Sequence, residues 1–371
     1  MKKNLLKVLA LVLALATVFS FVACAKKEDA PVDEKKEDEK KEEAPLQSEE
    51  PTILSGDDIG TGETVEGLKI GYTVGSEPEF QTRVHNSLQA ACDEKGYELQ
   101  IGVHGGDTTK QRAFVETFIN QGVSICMDFA SNAETGAALT DLCVEAGIPM
   151  IGIDSDFGED AYYFGTNNAL CATNNGTILG EWVRDNWDGK VDKFVRFNNP
   201  EYSPLLQSRT EGGWDAFCAV LPEYADKKDD VYSDTCYVNS DSLVSQQNVR
   251  DWFTQQPDEV TSAWIALSDN DMMVAVTEIQ AMGKEKQCVC ASNDCTQVFL
   301  EQLITLGENT CWVSSLNFNP DNYGGLLVML AEKICSGEEV PHFNSFDLPG
   351  CNYGNVQEMF PQKWAEVTAT L

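Results

Sequence analysis

From Leu68 onward the chain alternates short apolar runs with amphipathic stretches of helical length. That alternation allows few architectures, because strands separated by helices of 10 to 15 residues build βαβ units and a parallel sheet. Residues 68–72 read as a strand, and Phe80, Val84, Leu88 and Ala91 share one face of a helix that ends at Gly96. Strand 99–103, a helix with Phe114, Phe118 and Ile119 inward, strand 123–129, helix 133–146 capped by Gly147 and strand 149–154 continue the pattern. After residues 162–165 it resumes with helices 169–186, 205–220, 243–255, 272–282, 297–306 and 323–334. Strands 193–197, 235–238, 263–267, 287–291 and 311–316 lie between them, and irregular sequence follows around Pro341 and Pro349. The expected fold class is α/β, with two doubly wound parallel-sheet lobes.

Charge divides the chain differently. The formal net charge is −34; residues 1–24 hold +3 as Lys2, Lys3 and Lys7, residues 25–66 hold −9, and the body holds the remaining −28. Such a surface repels phosphate backbones, so nucleic acid is excluded as a partner. With 42% hydrophobic and 9% aromatic residues, the body has material for packed cores. Val8 to Val22 is apolar except for Thr17 and Ser20. Behind its lysines it reads as an export signal too short to span a bilayer comfortably, and the body reads as soluble. Residues 25–66 read as a charged flexible tether, reaching about 35 Å as a random coil.

Twelve cysteines besides Cys24 are an even number in an exported chain, which admits disulfides. Their places in apolar strands and helices favour buried free thiols. Cys288, Cys290 and Cys295 have no nearby His, so no metal site is expected. His85, His104 and His342 are far apart and read as satisfied or surface histidines, and Trp214 as core.

In open α/β sheets ligands sit at the carboxyl ends of the strands. The loops there are polar: residues 73–80, 154–156, 268–269 and 292–294. Ser, Asp and Asn in such loops also serve as helix N-caps, so either role fits each loop.

Two resemblances narrow this reading. Phe21-Val22-Ala23-Cys24 resembles the lipobox of bacterial lipoproteins, with Phe21 in place of the usual Leu, which implies a lipid on Cys24. The order Glu77-Pro78-Glu79-Phe80, then Gly147-Ile148-Pro149 before a strand ending in Asp154, then Arg209-Thr210-Glu211-Gly212, then Asp269 before an Ala-rich helix resembles the type I periplasmic binding proteins of the ribose-binding branch. The resemblance covers about residues 68–371. It implies two lobes, 68–166 plus 320–345 and 167–319 plus 346–371, joined by crossovers near 166–168, 317–320 and 344–348 and closing on a sugar.

By that resemblance, Thr73, Glu77 and Asp154 hydrogen-bond sugar hydroxyls and Phe80 packs on the ring. Ser268 and Asp269 stand where the family has an Asn-Asp pair, Asn293 or Asp294 at a second carboxylate, and Asn317 at a polar hinge position. Arg209 matches an Arg with a partly structural role. Ser155 and Gln207 replace two family arginines, which leaves a pocket rich in acids, Glu79 and Asp156 included, and suited to a neutral or amine-bearing polyol. Tyr202 lies on a loop expected to face the cleft.

The implied protein is a monomeric solute-binding lipoprotein of an ABC importer, without cofactor. It delivers a monosaccharide or polyol to a permease and its ATPase at the outer face of the cytoplasmic membrane, on the periplasmic side in a two-membrane cell. A lipid-anchored sensory receptor for a sugar, nucleoside or amine-bearing signal is the alternative. Paired carboxylates also serve glycoside hydrolysis, but no G-x-S-x-G, Walker A or H-E-x-x-H motif is present, and no enzyme is expected.

Overall fold

In the computed structural model, which describes residues 52–129, 132–200, 204–238 and 241–371, each run read as a strand is hydrogen-bonded into one of two sheets. The chain begins with β1 (Thr52–Leu54), β2 (Lys69–Val74), α1 (Glu79–Lys95), β3 (Glu98–Val103), α2 (Thr108–Asn120), β4 (Ile125–Phe129), α3 (Ala133–Glu145), β5 (Met150–Ile153) and β6 (Tyr162–Gly165). It continues through α4 (Asn168–Asn186), β7 (Lys193–Asn198), α5 (Pro204–Glu211), α6 (Gly213–Val220), α7 (Lys228–Val231), β8 (Tyr232–Cys236), α8 (Ser242–Thr254) and β9 (Ser262–Ala266). The remainder is α9 (Asp269–Ala281), β10 (Cys288–Asn293), α10 (Gln297–Leu306), β11 (Trp312–Leu316), α11 (Pro320–Ser336), β12 (Phe343–Phe346), β13 (Gly350–Cys351), α12 (Val356–Met359) and α13 (Pro361–Thr368).

The first sheet has the order β1-β12-β6-β5-β4-β2-β3 and the second β13-β11-β10-β9-β7-β8. All pairings are parallel except that of β13 with β11. Strand order reverses beside β2 in one sheet and beside β7 in the other, so a crevice opens at the carboxyl ends there. Each sheet carries apolar clusters on both faces, which is why its strands read as continuous apolar runs.

The chain passes between the sheets three times: after β6, between β11 and α11, and between β12 and β13. The third crossing begins at Asp347, later than expected, because residues 344–346 are still strand and pair with β1. The expected helix 205–220 is broken at Gly212 into α5 and α6, where a Cβ on Gly213 would lie 2.7 Å from Ile265 Cδ1. Trp214 is core, edge-on to Phe194. The 12 body cysteines are unbridged and nine are buried.

The tether expectation needs correction over residues 52–66. Strand β1 lies parallel to β12 and buries Leu54. Val65 N–H donates to the Tyr97 hydroxyl (3.1 Å), which itself donates to Glu332 (2.7 Å), and Lys95 reaches the same carboxylate at 2.9 Å. A Cβ on Gly62 would sit 2.9 Å from the Met329 carbonyl oxygen, so only glycine lets the segment lie this close to α11. Three strand residues among charges and glycines carry too little periodicity to be seen in the sequence. Burial of Leu54 alone is worth about 1.5–3 kcal/mol. A chain starting at Gly67 should therefore melt roughly 5 °C below one starting at Leu46 in scanning calorimetry; equal melting temperatures would show that the strap adds nothing.

Cys24, the signal segment and Tyr202 lie outside the described residues. Among the described residues no helix is long and apolar enough to cross a membrane.

Candidate functional site

Strand β5 ends at Ile153, and the next residue, Asp154, turns out of the sheet with φ +54°. A short polar side chain tolerates this left-handed conformation better than most. Its carboxylate accepts from Thr166 N–H at 2.9 Å and from the Tyr323 hydroxyl at 3.2 and 3.4 Å. A Cβ on Gly165 would lie 2.4 Å from Asp154 Oδ1, so glycine makes room for the acid. Burial raises the Asp154 carboxyl above its ordinary range, opposed by Arg209, the Thr166 amide and the Tyr323 hydroxyl.

Arg209 comes from α5 across the cleft. Its Nε donates to Asn168 at 2.6 Å, and its guanidinium lies 4.9 Å from the Phe318 ring centroid. Burial disfavours its charge, but Cys171, Asp294 and Asp154 outweigh this and raise its pKa. Asp294, just beyond β10 with φ +113°, is the acid of the second sheet. Burial and then Asp269 push its carboxyl well up, and Arg209 opposes them. Phe80, at the start of α1, meets Phe129 (6.3 Å), Phe318 (6.4 Å) and Tyr323 (5.6 Å between centroids).

Asp154, Arg209, Asp294, Phe80, Phe129 and Phe318 border one cleft of about 780 Å³, together with Glu79, Gln81, Arg83, Asn132, Ser155, Leu205, Leu206, Asn270, Thr296, Gln297 and Val298. Arg83 is engaged by Asp321 at 2.7 Å, which leaves Arg209 as the buried cation of the cleft. Carboxylates from both sides with a guanidinium between them provide acceptors and donors for neighbouring hydroxyls, and charge assistance makes such bonds strong. The phenylalanines offer an apolar wall. A carboxylate presents about four lone-pair directions; Thr166 and Tyr323 occupy two on Asp154.

Of the residues singled out from the sequence, the cleft brings together Glu79, Phe80, Asp154, Ser155, Arg209 and Asp294. The others among the described residues lie outside its lining. Thr73 is fully buried and donates to Asp128, because its side chain falls on the sheet face covered by α2 and α3. Glu77 pairs with His85 and Asp156 with His342. Gln207 accepts from Asn198 and donates to the Pro200 carbonyl. Ser268 caps α9.

Asp269 accepts from Ser292 and Ser315 hydroxyls and Thr296 N–H, each at 2.7 Å, and so fastens α9 to β10 and β11. Burial pushes its carboxyl up to about 6. Asn293 donates to the Leu267 carbonyl and accepts from Asn175. Asn317 accepts from Asn319 N–H and shapes the second crossing. The sequence reading missed Phe129, Asn132, Asn270, Gln297 and Phe318. Phe129 ends β4 and Phe318 lies two residues past β11, whereas Asn132 caps α3 and Asn270 and Gln297 stand in the first turns of α9 and α10, where polar residues carry no signal beyond that of an ordinary helix start.

Two α/β lobes joined by three crossings, with acids from both lobes and aromatics of the first lobe and the second crossing bordering the cleft between, define a type I periplasmic binding protein. A family model described as periplasmic binding protein domain matches residues 70–339, and the chain belongs to that family. Among solved structures it is similar to an ABC sugar transporter subunit from Rhodobacter sphaeroides (20% identity, 77% of this chain and 98% of that one, TM-score 0.60). It is also similar to a periplasmic solute binding protein from Actinobacillus succinogenes with bound D-allose (16%, 79% and 100%, 0.63). A third is the arabinose transporter component from Shewanella sp. ANA-3 bound to L-arabinofuranose (14%, 81% and 97%, 0.61). No curated protein matches the sequence.

Proposed function

We propose that the chain is the solute-binding lipoprotein of an ABC importer and captures a monosaccharide or related polyol by closure of its lobes. The observation that carries this reading is the set Asp154, Arg209 and Asp294, held around one cleft by different lobes beside Phe80 and Phe318. A ligand contacting both sides stabilises the closed state and so selects it, which is all that capture requires. The similar structures, an ABC sugar transporter subunit and proteins with bound D-allose and L-arabinofuranose, support the ligand class. Exposed cations are few around the cleft, which favours a neutral ligand over a phosphorylated one. The export signal and Cys24 support anchoring by lipid, with residues 25–51 as the leash, at the outer face of the cytoplasmic membrane. The partners are then the permease and its ATPase, which read the closed lobes.

The test is the melting temperature of the full chain against D-ribose, D-allose, L-arabinose, D-galactose, glycerol, a hexosamine, a nucleoside and a polyamine. A ligand at 100 times its Kd adds about 2.7 kcal/mol, a rise of roughly 5 °C. Shifts with one sugar class support the proposal. A shift with only the nucleoside or polyamine overturns the sugar assignment, and no shift at all overturns the reading of this cleft as a sugar site.

A further inference from the structure

We infer that Tyr323 is a positioning residue, whose hydroxyl holds the Asp154 carboxylate and ties it to the three crossings about which the lobes turn. This rests on Asp154 being a ligand acid, as proposed above. Tyr323 stands in the first turn of α11, directly after the second crossing, where Asn317 accepts from Asn319 N–H and Asn319 has φ +43°. Its ring is 1% exposed. It packs against Phe164, just before the first crossing, at 5.1 Å, and against Phe346, just before the third, at 5.0 Å between centroids. Phe80 of the cleft wall closes a further side.

A ring caged in this way cannot swing, so its hydroxyl has a set direction, and that direction ends on both oxygens of Asp154. The amide of Thr166, in the first crossing, fixes Oδ1 from the other side. A change of backbone at any crossing therefore reaches the carboxylate through one or two contacts. Lobe angle and ligand acid move together.

The groups facing Asp154 are Arg209 and the neutral Tyr72, Tyr163 and Cys171, with Asp294 beyond Arg209. Burial pushes the Tyr72 and Tyr163 hydroxyls up and Cys171 to about 12, so none of these three titrates between pH 3 and 9. A hydrogen bond to the ionised carboxylate favours that form, and removing it raises the carboxyl pKa.

The test uses the full chain carrying [13C]Asp, with the Asp154 carboxyl signal assigned by its loss in Asp154→Asn. Tyr323→Phe keeps the ring and removes the donor; the Asp154 midpoint should move to higher pH. Replacement by 3-fluorotyrosine, a stronger donor, should move it to lower pH. Binding of D-allose, L-arabinose or D-galactose, whichever shifts the melt, should weaken about tenfold at pH 7 in Tyr323→Phe, and the loss of binding on acidification should begin at a higher pH. A midpoint unchanged in both variants overturns the inference. If none of the sugars binds even the unaltered chain, the proposed function falls, and the carboxyl titration still decides the role of Tyr323.

Discussion

Asp154→Asn should weaken binding of the sugar ligand by roughly two orders of magnitude while leaving the fold intact. A hydrogen bond to a charged group is worth about 1.5–3 kcal/mol, and Asp154 has two acceptor directions free after Thr166 and Tyr323 take theirs. Losing charge assistance at both costs about 3 kcal/mol, a 100-fold rise in Kd. Asn also turns an acceptor oxygen into a donor, which confronts either the ligand hydroxyl or the Thr166 amide. Stability should change little, because the Asp154 charge is already disfavoured by burial. Titration calorimetry of Asp154→Asn beside Glu77→Gln is the measurement. Glu77 pairs with His85 outside the cleft lining, so its variant should bind like the original chain. Should Asp154→Asn bind within threefold of the original, or should Glu77→Gln be the damaging change, the site is drawn wrongly.

The second large effect lies in the packing of the first lobe. A Cβ on Gly324 would fall 2.1 Å from the Ser87 carbonyl carbon and 2.2 Å from Leu88 N, both backbone atoms of α1. Helices α1 and α11 touch main chain to main chain there, and Gly324 N–H donates to Ser87 Oγ at 2.9 Å. Alanine must push them apart, which loosens Val84, Leu88, Tyr323 and Leu327 together. Overpacking of this kind costs about 1–3 kcal/mol and more when backbone must move, so Gly324→Ala should melt roughly 5–10 °C lower. It should also weaken ligand binding, because α11 carries Tyr323. Gly325→Ala supplies the contrast. Its Cβ would meet the atoms of the Ile59 side chain at 2.8–3.1 Å, which can rotate away, and alanine favours a helix. Calorimetry showing equal losses for the two variants would rule out the close-contact explanation.

Much of the fold was legible because its signals are local. A buried parallel strand announces itself as an apolar run, and its helix by a 3.6-residue period; both survive without knowledge of neighbours. Gly96 and Gly147 follow their helices with positive φ, as expected of helix ends. Strand β1 escaped because three residues have no period, and its evidence for existing is β12, almost 300 positions away. Gly212 escaped because the break it makes between α5 and α6 answers to the packing of its neighbour on β9.

The candidate site divides along the same line. Sequence by itself determined that acids stand at the carboxyl ends of β5 and β10, since strand ends are read locally and such ends face the crevice of an α/β sheet. It determined the apolar start of α1 at Phe80 as well. Only the tertiary structure decided which polar side chain in each loop turns to the cleft. Asp269 and Asp294 are both acids of the second lobe, yet Asp269 is buried and turns inward to three donors on β10, β11 and the loop after β10, while the half-buried Asp294 borders the cleft that Arg209 also lines. That choice follows from one positive φ and from partners far off in the chain. Phe318 and Tyr323 belong to the site for the same reason: a crossing between lobes gathers residues whose common neighbourhood exists only once both sheets have formed.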